Sequence, residues 1–145
     1  MRSTPNWQAV IQTQSLKNAD LELPENVTLI SHVPQLKVLE KADIAITHAG
    51  CSSFKECAFT GTPMIAVPWN NDGYGNSARV VEHELGVCLD ASNISSSILK
   101  EALVYVTSNE RIQFSVREMQ RKLLSQESCE QGVNYINNIL TKNER

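Results

Sequence analysis

Short apolar runs rich in β-branched residues recur along this chain, and most are followed by a stretch with helical spacing. The runs are Trp7–Thr13, Val27–Ser31, residues 43–47, Met64–Val67 and Val87–Asp90. Apolar residues at helical spacing fill residues 35–42 and 51–60, then a helix capped by Asn76 or Ser77 and stopped by Gly86. Strand and helix therefore alternate with a period of about twenty residues, the pattern of βαβ units in a parallel sheet with helices on both faces. The fold class is α/β and Rossmann-like. Three further helices are expected over 94–107, 109–125 and 128–141, the first started by Ser92 or Asn93, so 92–145 reads as a helical tail of one domain covering 1–145. Gly61 is placed to cap the second helix, with Pro63 just beyond it.

In an open parallel sheet, ligands bind outside the carboxyl ends of the strands. Three loops leave strand ends here: Ser31–Gln35, His48–Ser53 and Pro68–Asn76, all rich in polar and turn-forming residues. The second is the most informative. Ile44-Ala45-Ile46 reads as a strand, Gly50 as the residue that turns the backbone, and Ser52 or Ser53 as the N-cap of a helix continuing through Glu56. A helix N-terminus at that position presents free N–H groups and a partial positive charge, which suit a phosphate. Ser53-x-x-Glu56 also fits a capping box that does no more than start the helix.

Composition narrows the partners. The formal charge is −3 with no basic run, which points away from nucleic acid. No apolar run approaches the roughly 18 residues of a membrane span, and residues 1–6 do not read as a signal peptide, so the expected location is cytoplasmic. His48, Cys51 and Cys57 match no structural zinc spacing, and reduced, mostly buried thiols are expected instead of a metal.

Pro34-Gln35, Thr47-His48-Ala49-Gly50, Ser53, Glu56, Gly61-x-Pro63-Met64, Pro68, Asp72 and Asn76 together resemble the donor-binding signature of family-1 UDP-dependent glycosyltransferases. The match continues through Ala78-Arg79-Val80-Val81-Glu82 and Gly86, covering about residues 24–141. The short spacing from Gln35 to His48 looks like the bacterial branch that glycosylates antibiotics and macrolides. The resemblance implies the C-terminal half of a GT-B fold, lacking its first strand and helix. It implies an inverting enzyme that moves a hexose from a UDP-sugar to a hydroxyl of a small lipophilic acceptor, with no metal or other cofactor. The catalytic base would belong to an acceptor-binding domain or partner chain, and the isolated chain would be inactive.

Carried over residue by residue, the resemblance places His48, the Gly50–Ser53 backbone, Ser52 and the Ser53 hydroxyl at the donor diphosphate. It places Glu56 on the ribose hydroxyls, Gln35 and His32 at the nucleoside, Asp72 on sugar hydroxyls and Asn76 at the phosphate end. His32 stands where many members carry a tryptophan, and Gly73 where they carry a glutamine that contacts the sugar. Cys51 and Ser52 replace a larger residue and an asparagine. Two other readings stay open: a donor-binding subunit of a two-chain transferase, and a non-catalytic nucleotide-binding remnant.

Overall fold

The computed structural model describes residues 4, 6–13, 22–126 and 129–142. The expected polar stretch over 14–21 lies outside them. Cα packing divides the chain into two compact units, Met1–Val38 and Leu39–Arg145.

In the first unit, β1 (Ala9–Gln12) and β2 (Val27–Ile30) form a parallel pair in the register Ala9 to Val27 through Gln12 to Ile30. β1 is shorter than the expected Trp7–Thr13. Asn26 holds the segment before it, donating from Nδ2 to the carbonyls of Thr4 at 3.0 Å and Trp7 at 2.7 Å. Helix α1 (Gln35–Leu39) begins just after Pro34, which needs no N–H partner there, and ends earlier than the expected residue 42.

The second unit holds a three-stranded parallel sheet of β3 (Ala45–Thr47), β4 (Met64–Ala66) and β5 (Gly86–Cys88), with β4 in the middle. The parallel α/β reading is thus right, with the described strands divided between two sheets. β4 is buried at every position, which explains why Met64-Ile65-Ala66 is apolar throughout and does not alternate. β5 starts at Gly86, one residue earlier than expected, and ends at Cys88. Gly86 has φ +156, and a Cβ there would run into the Met64 carbonyl, so the close β4–β5 approach requires glycine.

Helices α2 (Cys51–Thr60), α3 (Asn71–Glu82), α4 (Ser96–Ser108) and α5 (Glu110–Gln126) accompany this sheet. α2 packs on α5, α3 on β5 and α4 on β4. Met64, Ile65, Val80, Leu85, Val106 and Val116 form the buried centre, each contributing about 1.5–3 kcal/mol of apolar burial. The expected helical tail is therefore partly core: Ala102 and Val106 of α4 and Ile112 and Val116 of α5 belong to it.

The caps show why these helices stop and start. Gly61 ends α2 in the left-handed conformation, as expected. Asn109 closes α4 by donating its N–H to Tyr105 at 2.9 Å, and its Oδ1 accepts from the Ile112 N–H at 3.1 Å. Ser95, not Ser92 or Asn93, caps α4. Asp90 instead closes a 3-10 turn over Ala91–Asn93, accepting from the Ser92 N–H at 2.9 Å. That bond, with those from the Ser92 hydroxyl and the Asn93 amide, holds its carboxyl below the usual range. A last helix, α6 (Cys129–Lys142), leaves Val133, Tyr135, Ile136, Ile139 and Leu140 exposed.

Candidate functional site

The β3–α2 turn is the centre of the site. The left-handed residue here is Ala49, at φ +60°, while Gly50 has φ −58°. A left-handed alanine is strained by roughly 1–2 kcal/mol, and such strain persists only where surroundings fix it. Gly50 is needed where a Cβ would obstruct, as expected: a Cβ on it would lie 2.6 Å from His48 Nε2, so the imidazole folds over its Cα. The helix spans 51–60 as expected, but the expected N-cap at Ser52 or Ser53 is corrected. Gly50 is the N-cap and Cys51 the first helical residue, so Ser52 and Ser53 lie inside the first turn and neither is the N-cap. The capping-box reading of Ser53 and Glu56 falls with that. What remains is a ten-residue helix with glycine at its N-cap, an end whose dipole favours negative charge.

Helix α3 clasps this turn. Asn76 is buried, and its Nδ2 donates to the Ala49 carbonyl at 2.8 Å, holding the strained residue from across 27 positions of sequence. Gly73 lies so close to the turn that a Cβ would come within 2.7 Å of the His48 carbonyl oxygen. Asp72 accepts at Oδ2 from the Cys51 N–H at 3.4 Å, placing a carboxylate at the α2 N-terminus. The Trp69 ring meets the His48 ring edge to face, with centroids 6.4 Å apart and planes at 80°.

These contacts exist because the segment read as a loop from Pro68 to Asn76 is largely helix. α3 begins at Asn71, with Asn70 as N-cap, despite two glycines. Asn76 and Ser77 therefore cap nothing; they sit in the second turn, where Ser77 Oγ donates to the Gly73 carbonyl at 2.6 Å. The helix ends at Glu82, before the expected stop at Gly86.

Glu56 is half-buried in α2, and its Oε2 is enclosed with no hydrogen-bond partner among the described residues. A carboxylate oxygen in that state is costly, and native structures normally satisfy such groups. Its charge also acts on Cys57. Burial first, and the Glu56 carboxylate second, push the Cys57 thiol up to about 12. Cys57 is buried as expected, but Cys51 and Cys88 are exposed thiols.

The structure thus brings His48, Gly50, Asp72 and Asn76 together around the turn, with Ser52, half-buried Ser53 and Glu56 following along α2. His32, exposed after β2, and Gln35, the first residue of α1, belong to the other unit, and their place at a nucleoside rests on the resemblance. Trp69 was not legible as a site residue. Its one sequence signal is a tryptophan following the proline of a strand-end loop. An open groove of about 520 Å³ beside Pro68, Tyr74, Val81 and Cys88 includes none of His48, Ser53 and Glu56. Among the described residues no group of three or more His, Cys, Asp and Glu side chains could hold a metal ion.

A family model described as erythromycin biosynthesis protein CIII-like, C-terminal domain, matches residues 8–138. The chain belongs to this family.

Membership in the erythromycin CIII-like C-terminal family agrees with the resemblance read from the turn motifs. NDP-glycosyltransferase YjiC of Bacillus subtilis is 35% identical over 118 residues, 80% of this chain and 30% of that protein. Oleandomycin glycosyltransferase of Streptomyces antibioticus is 34% identical over 123 residues, 82% of this chain and 28% of that protein. The chain thus spans under a third of the length of these two relatives. Among solved structures, the kitacinnamycin glycotransferase matches with a TM-score of 0.88 and 29% identity over 94% of this chain and 36% of that one. The glycosyltransferase VinC in complex with DTDP shares the fold, with a TM-score of 0.84 at 18% identity over 93% of this chain and 34% of that one.

Proposed function

We propose that this chain binds the donor of a glycosyltransferase, a UDP-sugar, with its diphosphate at the α2 N-terminus and its ribose on Glu56. The observation that carries this reading is the α2 N-terminus capped by Gly50 with the His48 imidazole folded over it; half-buried Glu56, whose Oε2 is unpartnered among the described residues, turns outward to accept from the ribose. One end of that arrangement suits an anion, and the other suits a pair of hydroxyl donors. The names of the relatives support it, and VinC was solved with a nucleoside diphosphate.

The chemistry follows from charge. As the sugar departs, negative charge grows on the diphosphate. The His48 imidazole and the first-turn N–H groups of α2 stabilise that charge, each charge-assisted bond contributing roughly 1.5–3 kcal/mol. No metal is assigned a part. The Ser53 hydroxyl adds a neutral donor in the same turn. Asn76 does not reach the ligand through Nδ2; it positions the turn by holding Ala49. Asp72 sits on the Cys51 N–H before the donor arrives and accepts from sugar hydroxyls afterwards.

We infer that the whole enzyme inverts configuration as it transfers a hexose to a hydroxyl of a small lipophilic acceptor. The base that deprotonates this hydroxyl belongs to an acceptor-binding domain or partner chain, and the 145 residues alone carry out no transfer. Calorimetric titration with UDP tests the donor reading. A dissociation constant of about a millimolar or tighter, lost in His48→Ala and Glu56→Ala, supports it. No binding by chain shown to be folded by circular dichroism overturns it.

A further inference from the structure

Trp69 follows the last proline of the β4–α3 loop and precedes Asn70, the N-cap of α3. It is 74% exposed, although indole is the largest apolar side chain in the chain. Burial would normally favour it by roughly 25 cal/mol for each Å² removed from water. The core does not take it in. Its ring contact is His48, edge to face at 6.4 Å, and this keeps the indole beside the β3–α2 turn.

Resting on the donor reading, the ligand can be followed outward from that turn. The ribose lies on Glu56, beyond the first turn of α2. The diphosphate lies at the helix end with His48. The group on its far side comes to the β4–α3 loop and the first turn of α3, which contribute Trp69, Asp72 and Gly73. A sugar offers two kinds of surface: a rim of hydroxyls and a face of C–H groups. Asp72 can read the rim. Gly73 contributes no side chain, since even a Cβ would press on the His48 carbonyl. An open indole is the complement of the C–H face, as flat apolar rings are in other ligand sites.

We propose that Trp69 is a specificity-determining residue of the donor site, its indole lying against the C–H face of the transferred sugar and His48 holding the ring in place. Trp69 therefore distinguishes UDP-sugar from UDP, whereas His48 and Glu56 bind both.

The test is titration of wild type, Trp69→Phe and Trp69→Ala with UDP and with UDP-glucose, each variant checked by circular dichroism. UDP should bind all three within about twofold. UDP-glucose should bind about tenfold more weakly to Trp69→Ala and about threefold more weakly to Trp69→Phe. Tryptophan emission should change on adding UDP-glucose to wild type but not to Trp69→Phe. Equal losses for UDP and UDP-glucose would overturn the proposal and place the indole at the nucleoside. No loss for either would also overturn it and leave the indole to the acceptor. A wild type that binds neither ligand is the separate failure of the donor reading, and this assignment falls with it.

Discussion

Asn76 donates from a buried helical position to the carbonyl of Ala49 at 2.8 Å, and Ala49 is a residue held at φ +60°. This bond connects α3 to the turn that opens α2. It gives this buried asparagine, which caps no helix, a positioning task. Replacing it with alanine leaves the Ala49 carbonyl without this donor and releases the strained backbone. Asn76→Ala should lower unfolding stability by about 1–3 kcal/mol. It should also weaken UDP binding, although the side chain is committed to the protein. Urea denaturation and calorimetry on the same preparation check both effects. Unchanged UDP affinity in a destabilised variant would show that the turn keeps its shape without the bond.

Asp72 gives a prediction of opposite sign for two ligands. Its carboxylate faces the Cys51 N–H, so a phosphate arriving at α2 meets a negative charge already there. Asp72→Asn should bind bare UDP about two- to fivefold more tightly, an electrostatic effect of under about 1 kcal/mol that shrinks in high salt. The same variant should bind UDP-glucose more weakly, because the charged acceptor for sugar hydroxyls is gone. Parallel titrations decide this. Weaker binding of both ligands would mean that the carboxylate orders the helix end and does not compete for it.

Cys57 predicts an alkaline limit on stability. Its thiol is raised from an ordinary 9.0 to about 12, chiefly by burial. The folded state therefore keeps a proton that the unfolded chain releases. The stabilisation this provides is fully present below pH 9 and is lost as pH rises toward 12, at about 1.4 kcal/mol per pH unit. The stability gap between wild type and Cys57→Ala should narrow steadily from pH 8.5 to pH 11. Urea denaturation across that range measures it, and a constant gap would contradict the assignment.

The strand–helix rhythm made the α/β class readable, because buried parallel strands such as Met64-Ile65-Ala66 must be apolar on both faces. The strand, turn and helix from β3 into α2 were readable for a similar reason: a short apolar strand, a glycine and serines in a row leave few alternatives. The start of α3 was not. Asn70, Asn71, Gly73 and Gly75 are individually turn formers, and local propensity favours a loop. Tertiary contact decides otherwise. Gly73 is present because a helix must come within touching distance of the His48 carbonyl, and Asn76 because a carbonyl 27 residues away needs a donor. Neither partner is visible from its own neighbourhood. The left-handed Ala49 was not legible for the same reason, since the donor that holds its carbonyl lies on α3.

On the proposed donor reading, the half-buried Glu56 carboxylate turns to the ribose of a nucleoside diphosphate. Comparing UDP with its 2′,3′-dideoxy analogue, on wild type and on Glu56→Gln, tests it most directly. Wild type should lose at least about tenfold in affinity when both hydroxyls are removed, and Glu56→Gln should lose much less, because the partner of those hydroxyls is already impaired. Equal affinity of wild type for the two nucleotides would contradict the account and leave Glu56 a half-buried carboxylate without a ligand.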